Sequence, residues 1–139
     1  MRYRAAILDT GALVALVSRD DQYHFWATAA LKNLPPILLS CEAVISELYF
    51  LLRKNKQAKQ IVSDMLNSQL LKIVPMTEEL PAILELIRKY DSVPMSYADS
   101  ALVKLAEMTK DAVVVTTDSD FKIYKYKKNQ RLPVLLPTD

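Results

Sequence analysis

A chain of 139 residues, 51% hydrophobic and 24% charged, is long enough to bury a core without staples and has the balance of a soluble globular protein. A formal net charge of +2 and a pI near 8.6 allow a nucleic-acid partner without requiring one. The single cysteine, Cys41, excludes an internal disulfide, suits a reducing cytosol and is expected to serve packing.

The first apolar run, Arg4-Ala5-Ala6-Ile7-Leu8, lacks alternation, as expected of a strand buried on both faces of a parallel sheet. It follows Arg2 and Arg4, but Asp9 interrupts it where a signal peptide or membrane span needs continuity. No other run is long and apolar enough to cross a bilayer, so the cytoplasm is the expected location. Asp9-Thr10-Gly11 contains the only glycine and opens a helix predicted over Thr10 to Val17. Asp9 alone also suits a helix cap.

A second helix is predicted from a cap in Ser18-Arg19-Asp20-Asp21 to about Asn33, with Phe25, Ala29 and Ala30 on one face. His24 has no ligand-spaced partner and reads as structural, and Pro35-Pro36 ends the helix. Ile37-Leu38-Leu39 forms a second strand, with Ser40 as the expected cap of a helix from Cys41 to about Arg53. On that helix Val44, Leu48 and Leu51 define an apolar face on which Glu47 falls. A core-facing carboxylate is costly unless paired, protonated or bound to a cation; the structural alternative places Glu47 at the stripe's edge, where it snorkels to water or pairs with Arg53 or Lys54. Glu42 falls in the first turn, where it favours the helix dipole.

The basic stretch Lys54 to Lys59 opens a helix with Ile61, Val62, Met65 and Leu66 as apolar positions, and Leu70 to Val74 is a third strand. A further helix starts at Thr77-Glu78-Glu79, tolerates Pro81, and presents Ile83, Leu84, Ile87 and Tyr90 to the core. Ser96 and Asp99 read as a capping box, yet Leu102 and Val103 at i+3 and i+4 also turn Asp99 toward packed surface. Ala112 to Thr116 is the strongest strand signal and runs into Thr117-Asp118-Ser119-Asp120-Phe121, where Asp118 suits a cap and Asp120 a first-turn acid. Lys122, Lys125, Lys127, Lys128 and Arg131 interleave with Tyr124 and Tyr126, as on a backbone-tracking nucleic-acid surface or a solvated loop. Leu132 to Leu136 supplies a last strand, and the tail Pro137-Thr138-Asp139 carries no readable signal.

Strands alternate with helices throughout, which predicts an α/β fold with a parallel sheet covered on both faces. Asp9, Glu47, Asp99 and Asp118 would then gather at one sheet edge, a cluster of like charges that calls for a cation. Oxygen ligands without His or Cys select Mg²⁺ or Mn²⁺, and such a site serves phosphodiester hydrolysis. No serine, cysteine or histidine nucleophile constellation competes.

Asp9-Thr-Gly-Ala-Leu, Val44-Ile-Ser-Glu47, Ala98-Asp99-Ser-Ala-Leu and Val115-Thr-Thr-Asp118-Ser-Asp120-Phe resemble, in order, the acidic motifs of PIN-domain nucleases. The resemblance spans residues 1–139 as a single domain and implies a three-layer α/β/α sandwich with Mg²⁺- or Mn²⁺-dependent ribonuclease activity. It implies that Asp9, Glu47, Asp99 and Asp118 are catalytic metal ligands, with Asp120 a further one. Thr10 and Thr117 flank the site, where they would orient water or a carboxylate. The length is similar to that of VapC-type toxins, which implies an RNA substrate, a cognate antitoxin and a homodimer. Two other functions fit the same acids: a PIN-like module that binds RNA or protein without cutting, and a receiver-like phosphoacceptor, which Glu47 on a helix disfavours.

Overall fold

The computed structural model describes residues 3–137; Arg2, Thr138 and Asp139, cited above, lie outside the described residues. Strand β1 (Ala5–Leu8) is buried on both faces, as its unbroken apolar run requires, and Asp9 turns the chain directly into α1 (Thr10–Val17). There follow α2 (His24–Leu31), β2 (Ile37–Ser40), α3 (Glu42–Leu51), α4 (Lys56–Asn67) and β3 (Leu71–Ile73). A 3₁₀ turn at Thr77–Glu79 leads into α5 (Leu80–Lys89), and then come α6 (Tyr97–Met108) and β4 (Ala112–Val115). A second 3₁₀ turn at Ser119–Lys122 precedes the hairpin strands β5 (Lys125–Tyr126) and β6 (Gln130–Arg131), and β7 (Val134–Leu135) ends the described fold.

The main sheet has five parallel strands in the order β3-β2-β1-β4-β7, flanked by helices to give the expected α/β architecture. The chain moves outward from β1 to β2 and β3, then returns to place β4 on the other side of β1. The strand order therefore reverses between β1 and β4, the switch point at which open α/β sheets bind ligands beyond the carboxyl ends of their strands. Leu8 pairs with Val115 in register, and the Asp9 amide donates to the Val115 carbonyl at 3.0 Å, which places the ends of the two strands side by side. Ile7, Leu13, Val44, Leu48, Ile83, Leu102 and Phe121 fill the core between the layers. No helix among the described residues is long and apolar enough to cross a membrane.

Several local expectations change. Helix α2 starts at His24, and Phe25 is 89% exposed with Ala29 also outward; Ala27 is its buried position instead. His24 has the structural role expected, its Nδ1 lying 2.7 Å from the Ala15 carbonyl oxygen. Ser40 does not cap α3, for it is the last residue of β2 and donates its hydroxyl to the Leu8 carbonyl at 2.9 Å; Cys41 takes the cap position without a side-chain bond. Leu51, Ile61 and Leu84 are exposed, because the inward faces of their helices are narrower than the apolar runs that contain them. Tyr124 is fully buried, set edge-on against Tyr90 and Phe121 with ring centroids 5.2 Å apart in both pairs, and Tyr126 is half-buried. Tyr124 therefore belongs to the core, and the basic hairpin offers cations without an alternating row of stacking rings.

Candidate active site

Asp9 is the innermost acid, at 6% exposure. As the cap of α1 it accepts the Thr10 amide on Oδ1 at 2.7 Å, while Oδ2 accepts the Thr116 hydroxyl at 2.7 Å. Thr116 is the first residue beyond β4, and its Oγ1 also accepts the Asp118 amide at 3.0 Å. A single hydroxyl thus ties the end of β1 to the acidic turn after β4. Thr117, the expected site threonine, does something else: a Cβ on Gly11 would lie 2.2 Å from its Oγ1, so the glycine is what lets α1 lie against this loop. Thr116 and Thr117 share the same chemistry in the sequence; the strand register, with Val115 opposite Leu8, is what singles out Thr116.

Asp118 caps the 3₁₀ turn and accepts the Asp120 amide on Oδ1 at 2.9 Å. Asp99 forms the expected capping box with Ser96, the Asp99 amide donating to Ser96 Oγ at 3.0 Å and the Ser96 amide to Asp99 Oδ2 at 3.2 Å. The Tyr124 hydroxyl also donates to Asp99 Oδ2, at 3.4 Å. Glu47 is exposed at the edge of the apolar stripe rather than turned into the core, since Val44 and Leu48 alone take the buried positions of α3. It bonds neither Arg53 nor Lys54; instead its Oε2 accepts a long 3.5 Å bond from the Thr10 hydroxyl.

Burial pushes the Asp9 carboxyl up to about 6, with the charges of Asp99 and Asp118 adding to the effect against the two hydrogen bonds that favour its anion. Burial followed by Asp118 raises Asp99, and burial followed by Asp99 raises Glu47. Burial and the charges of Asp99, Asp120 and Asp118 hold the Tyr124 phenol above its usual range. All four principal acids and Asp120 therefore act within one electrostatic neighbourhood. Ion pairs among the described residues are Arg4–Asp111, Arg88–Glu85 and Lys104 with Glu79 and Glu107, none of which neutralises it.

A divalent cation suits this donor set in its chemistry, since every donor is a carboxylate oxygen. Among the described residues no three acids are gathered closely enough to enclose an ion.

The PIN domain family model matches residues 6–126. The chain belongs to the PIN domain family. Its fold is similar to that of Mycobacterium tuberculosis VapC20, a sarcin-ricin loop cleaving toxin, with a TM-score of 0.78 at 18% identity over 88% of this chain and 97% of that one. At that identity the likeness is one of fold. No curated protein matches this PIN domain in sequence.

Proposed function

We propose that this PIN domain is a Mg²⁺- or Mn²⁺-dependent endoribonuclease that hydrolyses RNA phosphodiester bonds, and that it is the toxin of a toxin–antitoxin pair. The observation that carries this reading is Asp9: a carboxylate at the switch point, raised by its burial and further by neighbouring acids, and neutralised by no basic side chain among the described residues. Asp9, Glu47, Asp99 and Asp118 would hold the metal, with Asp120 a further ligand. When bound, the ion supplies a water of lowered pKa and neutralises charge on the phosphoryl oxygens.

The chain's own contribution is orientation. The Thr10 amide and Thr116 hydroxyl fix both oxygens of Asp9, the Ser96 box and the Tyr124 hydroxyl fix Asp99, and Thr10 draws Glu47 toward the same edge. Lys125, Lys127, Lys128 and Arg131 on the β5–β6 hairpin would contact the RNA backbone. The toxin assignment, and with it a cognate antitoxin and a homodimer, draws support from the fold shared with VapC20. Mass in solution and co-purification with the product of an adjacent reading frame test those partners.

The decisive experiment incubates the purified chain, freed of any partner, with total cellular RNA in Mg²⁺, in Mn²⁺ and in chelator, beside identically prepared Asp9→Asn. Discrete products that need both metal and Asp9 are expected. The competing reading is a PIN-like module that binds RNA or protein without cutting; in its favour, no three acids among the described residues stand closely enough to enclose an ion. Retained RNA without cleavage in either metal would establish that alternative.

A further inference from the structure

Beside the acids lies a cleft of about 140 Å³, lined by Cys41, Glu42, Met76, Thr77, Leu80 and Tyr97 among others. Three connections build it: the turn from β2 into α3, the segment after β3, and the first turn of α6. Two of these elements also carry acids of the candidate active site, since α3 bears Glu47 and α6 bears Asp99. The proximity is electrostatic as well as topological: the Cys41 thiol in the cleft floor is raised by burial and further by the charges of Asp9 and Glu47.

The cleft has an apolar floor and a polar rim. Cys41 and Met76 are buried, and Leu80 and Tyr97 are each 41% exposed at its sides. At the rim, the Glu42 carboxylate, Thr77 hydroxyl and Tyr97 hydroxyl have no side-chain hydrogen-bond partner among the described residues. An aromatic side chain beside an apolar floor, with polar groups at the rim, is an arrangement that can receive an unstacked base of single-stranded RNA.

The geometry points to a base-reading pocket: resting on the ribonuclease reading above, we propose that this cleft takes a guanine of the substrate strand adjacent to the cleaved bond. Glu42 decides the base. An ionised carboxylate offers acceptors and no donor. Guanine alone presents two adjacent donors, N1–H and N2–H₂, on its Watson–Crick edge. Adenine and cytosine pair one amino donor with a ring acceptor that a carboxylate repels, and uracil places its N3–H between two carbonyls. Tyr97 stacks on the face of the base.

The test is a cycle of guanine against inosine, which lacks the 2-amino group, and wild-type Glu42 against Glu42→Gln. Full-length Asp9→Asn protein, alone and combined with Glu42→Gln, is titrated in Mg²⁺ with labelled single-stranded hexanucleotides that differ only in that base, and anisotropy is read. The expected result is a loss of about tenfold to a hundredfold on replacing guanine by inosine with Glu42 present. No such loss is expected in the protein that also carries Glu42→Gln. Tyr97→Leu should weaken binding of both strands. Binding that ignores both the base and Glu42 overturns the pocket and leaves the nuclease reading standing. No binding of any strand, together with no metal-dependent cleavage by the wild-type chain, overturns both. A change of mass in solution on Glu42→Gln or Tyr97→Leu, without base discrimination, would assign the cleft to a second copy of the chain and overturn the proposal.

Discussion

Thr116 does at the level of one hydroxyl what the sheet does at the level of strands. Its proton goes to Asp9 Oδ2 and its oxygen receives the Asp118 amide, so the two acids are registered to one another through a buried side chain. A hydrogen bond to a charged group contributes about 1.5–3 kcal/mol, and valine at this position would keep the shape while leaving Asp9 Oδ2 and the Asp118 amide without the hydroxyl. Thr116→Val should therefore lose about 2 kcal/mol in urea unfolding at pH 8, less at pH 5, where Asp9 is largely protonated. Thr116→Ser, which keeps the hydroxyl, should lose well under half as much. The four motifs made Asp9, Asp99 and Asp118 legible in the sequence because each stands at a junction that needs a cap as well as a charge. Thr116 was hidden because adjacent threonines are equivalent until the strand pairing chooses between them.

Elements deliver these residues by capping and by close approach. The Ser96–Asp99 box both starts α6 and holds Asp99 at the sheet edge, so Ser96→Ala should cost about 1 kcal/mol of stability. Because Asp99 is then released, cleavage should fall by a larger factor than the loss of folded protein explains, measured as kcat at a temperature where both proteins are fully folded. Gly11 shows the second device. Alanine is intrinsically better in a helix by about 1 kcal/mol, yet its Cβ would meet Thr117 Oγ1. Gly11→Ala should consequently destabilise the chain, and adding Thr117→Ala should restore stability to at least that of Thr117→Ala alone. Strands β1 and β4 were readable because burial on both faces leaves unbroken apolar runs, and the starts of α1 and α6 because Asp9 and Ser96 cap them. The inward faces were less readable: Phe25, Leu51, Ile61 and Leu84 are apolar yet exposed, since local spacing does not say how wide a helix face the sheet covers. Tyr124 erred the other way, its aromatic interleaving with lysines concealing a core position beneath the hairpin.

At the scale of the whole molecule, the fold holds a like-charged edge at the switch point of its sheet, and its stability should register that tension. The Asp9 carboxyl lies at about 6 when folded, against an ordinary value of 3.8. The folded chain therefore binds a proton that the unfolded chain has already released between these values. Stability from this group is fully present below about pH 4 and is lost as pH rises through 6, a difference on the order of 3 kcal/mol. Asp99 and Glu47, also raised, work in the same direction. In chelator, Asp9→Asn should be more stable than the wild-type chain at pH 8, and the difference between them should shrink toward pH 4. A cation at the acids, as proposed, would reverse the balance, because it would bind the folded, deprotonated form. At pH 8, Mg²⁺ or Mn²⁺ at about a hundred times its Kd should raise wild-type stability by about 2.7 kcal/mol and leave Asp9→Asn nearly unmoved. Thermal unfolding with and without metal at pH 5 and pH 8 reads all of this without reference to catalysis. Equal stabilisation of both proteins would mean that the ion binds away from Asp9, and the charge at the switch point would then need another partner.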